Sequence, residues 1–166
     1  MLIALGGLPG VGKSALAKAL ARRIGAVHLR IDTIEQALRN AGLEVSGPEG
    51  YLVARDLAAD NLRSGKMVIV DAVNPLETTR DYWRETAARL TLELVEIEVV
   101  CSDQREHRRR VEARSSDIPG LVLPIWRQVL DRYYEPWTTA HVVDSAGRTL
   151  QDVLSQVEAI VRPGQP

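Results

Sequence analysis

The chain contains no phenylalanine, and only three tryptophans and four tyrosines, among its 166 residues. Its core must therefore be filled by branched aliphatic side chains and alanine, with the few large rings as packing anchors; Trp126, Tyr133 and Trp137 are expected in that role. Cysteine is almost absent too. Cys101 stands alone, which excludes an internal disulfide and suits a reducing compartment. No apolar run approaches the ~18 residues that a membrane helix needs, and the short apolar opening lacks the basic flank of a secretion signal. A cytoplasmic protein is expected. Neither sign of charge dominates: 21 basic residues face 22 acidic ones, so no global field draws the chain toward nucleic acid or an anionic membrane. His28, His107 and His141 are scattered without cysteine partners, which argues against a structural metal site. The length suits one domain with a real core, expected over residues 1–162, and a short frayed tail at 163–166.

Against these absences stands one dense motif. Gly7, Leu8, Pro9, Gly10, Val11, Gly12, Lys13 and Ser14 fit G-x-x-x-x-G-K-[ST], with the apolar run LIALG before them and the helix-like ALAKAL after. Glycines let such a loop curl its N–H groups inward, and the helix that follows adds its free N–H groups and positive dipole end. A polyphosphate fits there. Lys13 is expected at the β- and γ-phosphates of ATP, Ser14 at Mg²⁺, and Ala15 on the first turn beside them.

Strand-like runs recur along the chain, at 2–6, 27–31, 67–71, 91–100 and 140–144. Helical patterns lie between or beside them, at 13–24, 33–41, 49–64, 76–90, 103–115, 121–134 and 149–161. This alternation predicts an α/β fold whose five-stranded parallel sheet is covered by crossover helices. In such sheets ligands gather at the carboxyl ends of the strands. Two of those ends carry an aspartate. Each can be merely a helix cap or a strand terminator; otherwise Asp32, after the second run, is placed to meet an acceptor hydroxyl, and Asp71, after the third, fits the acid that helps hold Mg²⁺. The fourth run leads into SDQREHRRRVEARSSD, where Arg110 and Arg114 share one helical face and Arg105 and Arg109 another. Such a helix is either solvated, its arginines paired with Glu106, Glu112 and Asp103, or a source of positive charge for a departing phosphate.

Taken in order, GGLPGVGKSALAKAL, RIDTIEQAL, GKMVIVDAVNPLETTRDYWRETA, RRRVEAR and YYEPWTTAHVVDSAG resemble the small P-loop kinases of the AAA-type predicted-kinase family. That group is related to chloramphenicol phosphotransferase, zeta toxins, adenylylsulfate kinase and polynucleotide kinase. The resemblance implies a P-loop NTPase three-layer αβα sandwich with a helical lid over about 102–118. It implies Asp32 as the base for the acceptor hydroxyl and Arg110 and Arg114 as the lid arginines. It also implies that HVVDSAG lies beside the adenine, with Asp144 either a ligand or a helix cap. Polynucleotide kinases tend to carry an arginine three residues beyond that base; Glu35 stands there in this chain, which speaks against nucleic acid. Tyr51, Arg55, Asn74 and Arg80 are candidates for the acceptor pocket.

The expected activity is transfer of the γ-phosphate of Mg·ATP to a hydroxyl of a small-molecule acceptor. The alternatives are a 5′-polynucleotide or nucleotide-sugar kinase, and a nucleotide switch; the last lacks a guanine-reading N-K-x-D motif.

Overall fold

The computed structural model describes residues 1–161; the expected boundary at 162 and the tail lie outside the described residues. β1 (Leu2–Gly6), β2 (Val27–Arg30), β3 (Val68–Asp71), β4 (Leu94–Val100) and β5 (His141–Asp144) form one sheet. The order is β2-β3-β1-β4-β5, and every pairing is parallel. All five residues of β1 are buried, as expected of a central strand covered on both faces.

Helices cover the two faces. α1 (Lys13–Ile24) and α7 (Leu150–Val161) bury Leu16, Leu20, Val153 and Val157 against one side, with Ile3, Leu5 and Ile97 from the sheet. α3 (Glu49–Arg63) and α4 (Glu77–Arg89) bury Ala54, Ala58, Trp83 and Ala87 against the other, with Leu2, Ala4 and Val70. Trp83 is fully buried and Trp137 nearly so, which supplies the bulk that phenylalanine would otherwise provide. Tyr133 is not a packing anchor. It is 71% exposed.

α2 (Ile31–Asn40) follows β2 without a linker, and α5 (Gln104–Ala113) follows β4 after a cap in which Asp103 accepts from the N–H groups of Arg105 and Glu106. The helix expected over 121–134 shrinks to α6 (Trp126–Leu130). Pro124 precedes its start, and beyond Asp131 the backbone polar groups have other partners. The Glu135 N–H donates to the Pro75 carbonyl at 2.8 Å, while the Glu135 and Pro136 carbonyls accept from the Arg80 guanidinium.

β1 lies between β3 and β4; its own connection leads to β2 on one side, whereas that of β4 leads to β5 on the other, so the connections part beside β1. The loop after β1 consequently opens at the switch point, where such sheets bind ligands.

Candidate active site

Residues 7–14 leave β1 and enter α1 through backbone that an ordinary side chain would resist. Gly12 sits at φ 99° as the residue before α1, and the space that a Cβ there would occupy is open. A Cβ on Gly10 would instead come within 2.4 Å of Val111 Cγ2, because α5 lies directly behind the loop. No side chain caps α1, and no acidic residue stands in its first turn. Its free N–H groups and dipole therefore face the cleft uncompensated, which is the arrangement that binds anions.

The back of the loop is braced by polar contacts. His107 Nε2 donates to the Pro9 carbonyl at 2.9 Å and its ring meets Trp126 edge-on. The Ser145 hydroxyl donates to the Val11 carbonyl at 2.8 Å and accepts from Arg110 Nη1 at 2.8 Å. Arg110 Nη2 also donates to the Ser145 carbonyl and to Glu106, at 2.9 and 2.6 Å. Arg110 is thus fastened between α5 and the turn after β5.

Arg114 differs sharply. It is not on the helical face it was expected to share with Arg110, because α5 ends at Ala113 and Arg114 is extended. Its Nε and Nη2 are buried without a partner, and its charge reaches Lys13 and Asp32.

Lys13 lines the cleft and Asp71 lies close enough to attract its charge; both are buried. Burial pulls the Lys13 ammonium below its ordinary range, against the attraction of Asp71 and Asp32. Burial would raise the Asp71 carboxyl, but His28, Lys13 and the Ser14 hydroxyl outweigh it and hold the acid below the usual carboxylate range. His28 Nε2 lies 3.3 Å from Asp71 Oδ2. An ionised buried carboxylate beside a hydroxyl is a donor pair that a hard divalent cation accepts, with phosphate oxygens and water completing the shell. No cluster of three or more His, Cys, Asp or Glu side chains suited to a metal occurs among the described residues.

Asp32 lies in the first turn of α2 rather than before it. It caps nothing: the residue preceding the helix is Arg30, and no side chain caps this N-terminus. Its carboxylate is half-exposed on the same cleft as Lys13 and Ser14. The cleft has a volume of about 1460 Å³, large enough for a nucleotide and a second molecule.

Of the other acceptor-pocket candidates, Tyr51 lines this cleft, and its hydroxyl accepts from the Asn74 N–H at 3.1 Å. Asn74 and Arg80 do not line it. Asn74 is buried beneath the sheet edge, donating to the Leu5 carbonyl and accepting from Trp83, and Arg80 is a buried strut under the 135–137 segment. Arg55 pairs with Asp56 on the surface. Asp144 holds Ser102 and the Ala146 N–H, joining the ends of β4 and β5. Sequence reasoning missed Arg30 and Asp117, which line the cleft and pair at 2.7 Å. Arg30 was findable, as the last residue of an edge strand pointing at the site; Asp117 carries no local signal.

The AAA domain family AAA_33 matches residues 2–136. The chain belongs to this family. Its fold is that of the small P-loop kinases. It is similar to Mycobacterium tuberculosis APS kinase CysC in complex with AMPPNP and APS, at 20% identity and a TM-score of 0.71, with 96% of each chain covered. A gluconokinase from Sinorhizobium meliloti 1021 is 19% identical with a TM-score of 0.64, covering 96% of this chain and 89% of its own. Chaetomium thermophilum Kti12 in complex with ADP-AlF3 is 18% identical with a TM-score of 0.68, covering 98% and 100%. At these identities the likeness is one of fold. No curated protein matches the chain. No helix among the described residues is long and apolar enough to cross a membrane.

Proposed function

We propose that this P-loop kinase transfers the γ-phosphate of ATP to a hydroxyl of a small-molecule acceptor. The observation that carries the reading is Asp32: a half-exposed carboxylate with no capping duty, opening onto the same cleft as the uncapped start of α1 and Lys13.

The uncapped N–H groups of α1 and the Lys13 ammonium bind the β- and γ-phosphates. Ser14 and Asp71 are the residues that would hold Mg²⁺, which supplies positive charge to the phosphate oxygens when bound. Asp32 orients the acceptor hydroxyl and takes its proton as the oxygen bonds to the γ-phosphorus and the bond to the β–γ bridging oxygen breaks, releasing ADP. Arg114, whose guanidinium has two unpartnered nitrogens and whose charge reaches Lys13 and Asp32, neutralises charge on the moving phosphoryl group. Arg110 has a supporting part instead, keeping α5 and the Ser145 turn against the phosphate loop.

The test is incubation with γ-labelled ATP and a library of sugars, nucleosides, and aminoglycoside- and phenicol-like compounds. Label transferred to a hydroxyl compound, and lost with Asp32→Asn, is the expected result. Acceptor-independent hydrolysis that Asp32→Asn leaves untouched would sink the reading.

A further inference from the structure

The half of the cleft beyond Asp32 is walled by α2, by Tyr51 and Leu57 of α3, and by the irregular segment 114–125. Its lining side chains include four arginines, Arg30, Arg39, Arg114 and Arg132, against three carboxylates, Asp32, Glu35 and Asp117. Arg39 and Glu35 neutralise each other at 3.0 Å. The remainder is a surplus of guanidinium around the place where an acceptor must sit.

Arg30 stands at the centre of it. Its Nε is buried with no hydrogen-bond partner; the nearest carboxylates, Asp32 and Asp71, lie at 3.9 and 4.0 Å, beyond hydrogen-bond reach. Asp71 is in any case engaged by His28 and Lys13. A buried donor left unpaired is costly, so a site that keeps one is built for a partner that arrives from outside. Arg30 Nη1, by contrast, holds the Asp117 carboxylate at 2.7 Å, and the Asp117 side chain is 67% exposed. An ion pair with one member so exposed is weak and screened, hence easily exchanged. Asp117 thus shows what Arg30 binds, a carboxylate-like oxyanion, and leaves readily when a better one comes.

The geometry points to an acceptor that carries an oxyanion, a carboxylate or a phosphate, beside the hydroxyl it offers, with Arg30 as the residue that binds this group after Asp117 lets go. The incoming oxyanion spans Nη1 and Nη2 at the end of the guanidinium, in place of the Asp117 carboxylate on Nη1, and its arrival frees segment 114–125 from its tie to the end of β2. The inference rests on the kinase reading above and deepens it by naming the substrate's charge. The planar fork of arginine suits both oxyanions.

The experiment uses the full chain saturated with Mg·AMPPNP, so that the phosphate loop is already filled, and titrates sulfate, inorganic phosphate and acetate separately by calorimetry. A saturable anion site is expected. Arg30→Gln should weaken it about tenfold or more, the scale of a lost charge-assisted pair. Asp117→Asn should tighten it severalfold by removing the internal competitor, a gain that a merely structural pair would not produce. Preference for acetate over phosphate would assign a carboxylate acceptor, and the reverse a phosphorylated one. If AMPPNP itself fails to bind, the kinase reading falls and takes this proposal with it. If AMPPNP binds but no saturable anion site exists, or Arg30→Gln leaves it unchanged, only the proposal is overturned.

Discussion

His107 donates through Nε2 to the Pro9 carbonyl at 2.9 Å, and so ties the middle of α5 to the back of the phosphate loop. The contact is buried, and Val111 one turn later presses on Gly10. The helix expected to move as a lid is therefore part of the wall that shapes the nucleotide site. His107→Ala should cost about 1–3 kcal/mol, the scale of a buried acceptor left unpaired, and should weaken AMPPNP binding as the loop loosens. Thermal denaturation and calorimetry on the same variant check both effects.

The segment after that wall is held differently, by side-chain contacts such as that of Arg30 with Asp117. Residues 114–125 have no regular structure, and Val122 in their midst is 88% exposed. Limited trypsin digestion should cut after Arg114, more slowly once Mg·AMPPNP is bound, while the arginines of α5 stay protected in both states. Equal cleavage after Arg114 with and without nucleotide would count against closure of this segment.

Lys13 is buried, so its replacement should keep the volume. Lys13→Met is expected to leave the circular dichroism spectrum intact and to reduce phosphoryl transfer by about 10²–10³-fold, as loss of one preorganised donor does. Asp71 also loses a charge that helps keep it ionised. Turnover at the wild-type rate would contradict the phosphate-loop assignment.

Asp32→Asn tests a different link. Because the side chain is half-exposed and caps no helix, stability should change by no more than about 0.5 kcal/mol. Nucleotide affinity should hold, while acceptor phosphorylation falls by about 10²–10⁴-fold, the usual contribution of a positioned base. Calorimetry with AMPPNP beside a transfer assay separates the two.

Glu35 gives a pH signature. Burial raises its carboxyl above the ordinary range despite Arg39. With the folded value above the unfolded one, its favourable contribution is complete below about pH 4, and it is lost as pH rises through the folded value. Glu35→Gln should therefore gain stability relative to the wild type as pH is raised from about 4 to 7. Denaturant melts at the two ends of that range check the sign; a relative loss on raising pH would show that Arg39 outweighs burial.

Much of the architecture is written in short stretches. An apolar run, a glycine turn and a lysine-serine helix start are contiguous, and their geometry follows from local backbone freedom and dipoles, so the phosphate loop and α1 stand where the motif places them. The alternation of apolar runs with helical patterns likewise suffices for a five-stranded parallel sheet, because each pattern reports its own burial. The arginines of 105–114 were legible only as a set. Which of them is free depends on partners far away in the chain: Ser145 occupies Arg110, while α5 ends before Arg114 and nothing occupies its Nε and Nη2. The shortened α6 has the same origin, since Pro75 and Arg80 take the backbone groups of Glu135 and Pro136, a competition that helical periodicity cannot register. Arg30 and Asp117, 87 positions apart, meet only because the fold brings the end of β2 beneath the segment after α5. Local sequence dictates what each stretch of backbone can be; long-range packing decides which polar groups are already spoken for, and in this cleft it leaves Asp32 and Arg114 without hydrogen-bond partners.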